Sequence, residues 1–239
     1  MPDLPSTGWI MLESNPDVMT KWATAAGVDT SKARFHDVYG LDEDLLSLIP
    51  QPVKFVVVLF PNNQWLQERR EEEDERVTKE GQHPIDPSVI WMPQTIHHAC
   101  GTMAILHGFA NSDVETMPES PLATFIAECR GKTPQQRAKL LEASPPFAKI
   151  HAEAVVSGQS AVPSVEEEMD LHYTCFASLS DPSRTGSSRL VELNGGRKGP
   201  VDRGECTDVL RDVAKYLKEH YLPNTSSAHF NVLVLAASE

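Results

Sequence analysis

The chain lacks several features that would each assign it to a class of protein. No apolar run approaches the roughly 18 residues a membrane span needs. The opening Met1-Pro2-Asp3-Leu4-Pro5 has neither a basic n-region nor an apolar h-region. A non-secreted, cytoplasmic protein is therefore expected. Cysteine is scarce: four residues, at 100, 129, 175 and 206, stand far apart with no C-x-x-C pair. That argues against a disulfide framework and for reduced thiols, with Cys129, Cys175 and Cys206 read as buried. Positive charge is in deficit, with 21 basic against 34 acidic residues and a net charge of −13. A nucleic-acid partner would need a concentrated basic footprint, so none is expected. The acid excess instead favours solubility and attracts basic partners. There is no internal repeat and no long linker. With 239 residues, 40% of them hydrophobic, one domain spanning 1–239 can bury a full core.

Periodicity places the elements. Asn15 to Ala26 reads as a helix, with Val18, Met19, Trp22 and Ala26 at helical spacing. Asp42 to Leu48 reads as a short helix. Phe55 to Phe60 is continuously apolar and β-branched, which predicts a central strand stopped by Pro61. Glu68 to Lys79 is a charged run with opposite charges at i,i+4, as in Glu72 with Arg76, and reads as a solvated helix with no chemistry attached. The stripe Ala99, Met103, Leu106 and Ala110 predicts a buried central helix. Helices follow at Leu122 to Glu128 and Pro134 to Glu142. Ser144 to Glu168, with three prolines and an acidic triplet, reads as a long irregular stretch, of the kind that is functional or disordered. Strands then come at Leu171 to Ala177, Arg189 to Leu193 and Phe230 to Leu235, with an amphipathic helix marked by Val209, Val213, Leu217 and Tyr221. Early helices and late, mostly antiparallel strands make an α+β fold.

The chemistry centres on Gln94-Thr95-Ile96-His97-His98-Ala99-Cys100-Gly101-Thr102. A cysteine opening a helix meets unpaired N–H groups and the positive end of the helix dipole, which favour a thiolate. The same N–H groups, with the Gln94 amide, could hold an acyl-transfer oxyanion. A nucleophilic thiol needs a base, and His172, in a strand directly after the irregular stretch, is the leading histidine of nine. His97 and His98 read as a lining loop. His97, His98, Cys100 and His107 lack a recognised zinc spacing. Asn194, at a strand end, is either an acceptor that orients the histidine or a turn residue preceding Gly195.

The chain resembles the ubiquitin C-terminal hydrolases, specifically the short members made of little more than the catalytic domain. The resemblance rests on Trp9-Ile10-Met11-Leu12-Glu13-Ser14-Asn15-Pro16, Phe35-His36-Asp37-Val38-Tyr39-Gly40 and Leu41-Asp42-Glu43-Asp44-Leu45-Leu46. It continues through Gln94-Thr95-Ile96, Ala99-Cys100-Gly101-Thr102, Asp170-Leu171-His172-Tyr173, Val191-Glu192-Leu193-Asn194-Gly195 and Phe230-Asn231-Val232-Leu233-Val234-Leu235. It implies a papain-like, knotted fold with an antiparallel sheet sandwiched between helices, and a crossover loop at about 146–164 that excludes bulky adducts. It implies thiol-dependent hydrolysis at the C-terminal glycine of ubiquitin, with Cys100 as nucleophile, His172 as base and Gln94 in the oxyanion hole. Asn194 falls where the family carries aspartate: it can accept the imidazole N–H but offers no charge to an imidazolium. Glu192 lies two residues earlier on the same strand face, off the family position. Asp37 falls at a position that holds the ubiquitin tail, with Glu13, Asn15 and Glu205 as further substrate-binding candidates. The implied partner is ubiquitin or a ubiquitin-like modifier, met by a monomer; no metal or organic cofactor is called for. Two rivals remain: a non-catalytic ubiquitin-binding module, and a papain-like enzyme acting on another acyl substrate.

Overall fold

The run Phe55–Phe60 is apolar throughout because its strand is covered on both faces. Phe55, Val57 and Leu59 enter one hydrophobic core, and Val56, Val58 and Phe60 enter another. This is the period-two alternation of a strand inside a two-sided sheet. The computed structural model describes residues 9–159, 170–224 and 230–238. Its strands are β1 (Ala33–Asp37), β2 (Val53–Pro61), β3 (Leu171–Ser180), β4 (Ser188–Leu193), β5 (Val201–Cys206) and β6 (Asn231–Ala237). They form one sheet in the order β1-β6-β2-β3-β4-β5, with every pair antiparallel.

The first core is closed by α1 (Pro16–Ala26), α4 (Cys100–Ala110), α5 (Pro121–Cys129), α6 (Pro134–Glu142) and α7 (Pro145–Val155). The second is closed mainly by α8 (Val209–His220), with α2 (Glu43–Leu46) and the first turn of α3 (Gln64–Glu80) at its margin. An α+β fold with its sheet between helices is thus as expected. α4 is the central helix, with every residue from Cys100 to Phe109 buried. It lies close on the sheet because Gly108 has no side chain: a Cβ there would meet the Phe55 ring at 2.4 Å. Among the described residues no helix is long and apolar enough to cross a membrane.

Three elements depart from expectation. The irregular stretch begins not at 144 but after α7, so 145–155, including much of the expected crossover loop, is helix. Its two prolines occupy the first turn, where a missing N–H costs nothing, and Phe147, Ile150, Ala154 and Val155 form a buried stripe. His151 fixes this helix: its Nε2–H donates to the Ile10 carbonyl at 2.7 Å and its Nδ1 accepts from the Thr102 hydroxyl at 2.9 Å. Of the rest of the expected loop, 156–159 is described as irregular chain and 160–164 lies outside the described residues, as do the crossing of the active site and the knot. β1 and β5, not expected, are the two edge strands. β5 has no hydrophobic periodicity because its inward-facing Arg203 joins an ion cluster rather than an apolar core.

Candidate active site

Cys100 is the first residue of α4, 3% exposed, with Ala99 as an N-cap that supplies no side-chain bond. Its sulfur faces the backbone N–H groups of Tyr173, Gly101 and Cys100 itself. Tyr173 immediately follows His172, so the β3 backbone brings the expected nucleophile and base to one end of the sheet. The helix N-terminus favours a thiolate, but the environment as a whole does not. Burial outweighs the three N–H groups and pushes the thiol up to about 11. His172 is likewise moved toward its neutral form: desolvation and the Arg70 guanidinium prevail over the bond to Asn194 and the charge of Glu192, lowering it to about 4. Both shifts favour a thiol and a neutral imidazole in the free protein.

Asn194, one residue past β4 and 1% exposed, is not a positive-φ turn residue. Its Oδ1 lies 2.7 Å from His172 Nε2 and accepts the Gly196 backbone N–H at 2.8 Å. A backbone N–H can only donate, so this amide atom is oxygen and His172 Nε2 carries its proton. Nδ1 is then the free lone pair, the state a general base requires. Gly195 serves close approach rather than an unusual φ: a Cβ there would stand 3.1 Å from Gln94 Cβ and 3.2 Å from Gln94 N.

That approach joins the Gln94 segment to the Asn194 turn by a short series of bonds. Trp91 Nε1–H donates to the Asn194 carbonyl at 3.0 Å, and Gln94 N–H donates to the Gly195 carbonyl at 2.8 Å. Between them, Met92 N–H donates to His107 Nε2 at 3.1 Å, which leaves His107 Nδ1–H to donate to the Leu193 carbonyl at 3.2 Å. His107 is thus a structural tie. Gln94 Nε2 spends one hydrogen on the Ile96 carbonyl at 3.2 Å and keeps a second; its Oε1 is buried without a partner. His98, at φ 58°, turns the loop into α4.

A family model described as ubiquitin carboxyl-terminal hydrolase, family 1, matches residues 9–221. The chain belongs to that family. Ubiquitin carboxyl-terminal hydrolase 3 of Arabidopsis thaliana is 34% identical over 235 residues, covering 97% of this chain and 95% of its own length. The ubiquitin carboxyl-terminal hydrolase of Drosophila melanogaster is 32% identical, covering 97% and 98%. Among solved structures, the Trichinella spiralis UCH37 catalytic domain bound to ubiquitin vinyl methyl ester superposes with a TM-score of 0.72 at 19% identity, covering 97% and 96%. That likeness confirms the fold class.

In this member of the family the remaining expected residues divide. Asp37 ends β1 on the edge of the sheet, three strands from β3 and level in register with Cys175, three residues short of His172. It is half-buried, with Oδ1 unpartnered, and burial raises its pKa against the hydrogen bond from Asn231. Glu13 is occupied otherwise: it accepts from Asn15 Nδ2 at 3.0 Å and, through Oε2, from the Gln159 N–H at 2.9 Å, which holds the chain just after α7. Glu205 is not brought to Asp37 at all. It lies on the opposite edge strand, facing Arg189 in register and pairing with Arg184. Five residues of strand separate Arg189 from Asn194, about 17 Å.

The charged run on α3 does more than face solvent. Asp74 is buried and accepts from Arg197 Nε at 2.8 Å; Glu73 accepts from Arg197 Nη2 at 2.7 Å and Arg203 Nη1 at 2.6 Å. Both arginines also meet the fully buried Glu192. Helical periodicity does not reveal this face, because its inward residues are charged and their partners lie more than a hundred positions away.

Proposed function

We propose that the protein hydrolyses bonds to the C-terminal glycine of ubiquitin, with Cys100 as nucleophile, His172 as general base and acid, Asn194 as the residue that orients His172, and Gln94 in the oxyanion hole. The observation that carries the assignment is the Asn194 Oδ1 shared between the His172 Nε2–H and the Gly196 N–H, which leaves Nδ1 as the basic nitrogen. Sγ attacks the glycine carbonyl as its proton passes to His172 Nδ1. The carbonyl π electrons move to oxygen, where the Gln94 amide and the Cys100 N–H stabilise the negative charge. Collapse re-forms the carbonyl and breaks the bond to the leaving amine, alcohol or thiol, which takes the imidazolium proton. A thioester remains on Cys100. Water, deprotonated by His172, attacks it through a second oxyanion, and breaking the C–S bond returns the thiol and frees the ubiquitin carboxylate. All atoms come from enzyme, substrate and water, so the cycle calls for no cofactor.

A neutral resting pair suits this sequence. The proton transfer accompanies attack, when the substrate carbonyl and the N–H groups around Sγ can share the developing charge. The unpartnered Asp37 oxygen supports a role in holding a cationic tail residue at a distance from the reacting carbonyl. Substrates with small or unstructured leaving groups, and action as a monomer, complete the reading.

Ubiquitin bearing an electrophilic C-terminus tests it: covalent labelling that is lost in Cys100→Ser, together with turnover of a fluorogenic ubiquitin amide, is expected. Ubiquitin binding without labelling or turnover would establish a non-catalytic module instead.

A further inference from the structure

We infer that Glu192 is a positioning residue of the catalytic site, supplying through the Asn194 amide the negative charge that an asparagine lacks. The inference rests on the triad reading above, in which an uncharged residue stands behind the base.

The amide orientation comes first. Because Gly196 N–H fixes Oδ1, the other amide atom is Nδ2, and it points at Glu192 Oε1 at 3.4 Å. His172, Asn194 and Glu192 therefore form a directed chain: Nε2–H to Oδ1, then Nδ2–H to Oε1. Turning the amide over would place its N–H₂ against both the Gly196 and His172 donors and its oxygen against the carboxylate. The Gly196 and Glu192 contacts would become repulsive, and His172 would have to move its proton to Nδ1, leaving no basic nitrogen there. Donation to a carboxylate also polarises the amide and makes Oδ1 a better acceptor, the cooperative effect of a hydrogen-bond chain.

Glu192 has a local reason to be ionised. It is fully buried, which raises the pKa of a carboxyl group, yet Arg203 and Arg197 more than offset that burial and hold it at about 2. Arg203 Nε donates to Oε2 at 3.0 Å and Arg197 Nη1 approaches the same oxygen at 3.5 Å. Oε1 is left for Asn194 Nδ2 and the Thr174 hydroxyl, at 3.2 Å. One carboxylate oxygen thus serves the ion cluster and the other the asparagine behind His172. Glu73 and Asp74 of α3 pair with the same arginines from the other side of the cluster. The groups facing His172 complete the balance: Phe60 of β2 meets the ring edge-on with centroids 5.7 Å apart, and the Arg70 guanidinium of α3 disfavours an imidazolium. Glu192 is the charge that opposes Arg70 there.

A double-mutant cycle on turnover of the fluorogenic ubiquitin amide tests the inference. Glu192→Gln is expected to lower kcat about tenfold with KM unchanged, because the residue lies behind the catalytic groups and away from substrate. In an Asn194→Asp background, where a carboxylate meets His172 directly and its second oxygen faces Glu192 with like charge, the same change is expected to cost less than about threefold, because it also removes that repulsion. Glu73→Gln, which loosens the ion cluster alone, is expected to lower Tm and leave kcat within about twofold. If Glu192→Gln does not fold, Glu192→Gln/Arg203→Met removes the charge together with a partner, and its kcat is compared with Arg203→Met, which keeps the carboxylate. Equal kcat in wild type and a folded Glu192 variant would overturn the inference. So would an equal loss with and without the Asn194→Asp substitution, which would mark Glu192 as merely structural. A folded wild-type protein that turns over no ubiquitin substrate would instead overturn the triad reading, and the inference with it.

Discussion

Replacing Asn194 by alanine isolates the contact on which the catalytic assignment depends. The side chain is 1% exposed and its Oδ1 accepts two hydrogen bonds, from His172 Nε2–H at 2.7 Å and Gly196 N–H at 2.8 Å. Alanine removes the group that selects the Nε2–H tautomer and holds the ring. A neutral imidazole then distributes its proton between both nitrogens, and the fraction with a free lone pair on Nδ1 falls. Losing a buried acceptor costs about 1–3 kcal/mol, and most of it is expressed in the transition state, where the imidazole gains charge. The expected loss in kcat is therefore roughly 10- to 100-fold, from about 1.4 kcal/mol per factor of ten. KM should stay within about twofold, because Asn194 is shielded from substrate and the lost bond matters most as charge develops. Stability should also fall, since Gly196 N–H loses its partner. The assay is steady-state turnover of a fluorogenic ubiquitin amide, with circular dichroism to establish the fold. A folded Asn194→Ala protein whose kcat stays within about threefold of wild type would refute the idea that this asparagine orients the base.

Three further outcomes rest on the same geometry. Gln94→Ala should lower kcat by about 10²–10³, the usual cost of removing one oxyanion donor, while a ubiquitin affinity measured separately stays near wild type; an unchanged kcat would exclude Gln94 from the oxyanion hole. Cys100, with its thiol pushed up to about 11, should be alkylated by iodoacetamide at neutral pH more slowly than an exposed cysteine, and should show no thiolate absorbance there; rapid alkylation or a thiolate band would contradict a neutral resting pair. The pH dependence of stability should carry the mark of His107 and His151, both lowered to about 4 by burial from an ordinary 6.5. Between those values the unfolded chain binds protons that the folded chain refuses, so stability is complete above about pH 6.5 and is lost as pH falls toward about 4. The loss is up to roughly 3 kcal/mol per histidine. Thermal melts at about pH 7 and about pH 4.5 check it, and equal Tm values would refute it.

Much of the candidate site is legible in sequence because its signals are local. Gln94 and Cys100 share one short loop-and-helix start, and His172 follows an irregular stretch at a strand start; each is a residue type in a context that chemistry can use. The sheet interior is legible for the same reason, since two-sided burial writes itself as unbroken apolar runs in β2 and β6. α7 is hidden because its prolines look like breakers where they are a helix start. β5 is hidden because its inward arginine interrupts every apolar pattern. The acid–base state of Cys100 is misleading in sequence, because a helix N-terminus can be seen there and burial cannot.

The sequence by itself determined the family, the α+β class, the candidate nucleophile and base, and the asparagine standing in an aspartate position. Those are matters of residue type, order and short-range periodicity. Only the tertiary structure carries the burial that shifts that pair toward its neutral form, the tautomer of His172 and the orientation of the Asn194 amide. It alone decided where the acidic candidates stand: Asp37 is on one edge strand, level in register with Cys175, and Glu205 is at the far end of the opposite edge strand. It also turned a charged surface helix into one wall of a buried ion cluster that ends on Asn194. The physical reason is common to all of these. Desolvation, and hydrogen bonds between residues distant in the chain, depend on what surrounds a group in space, and no local pattern records that.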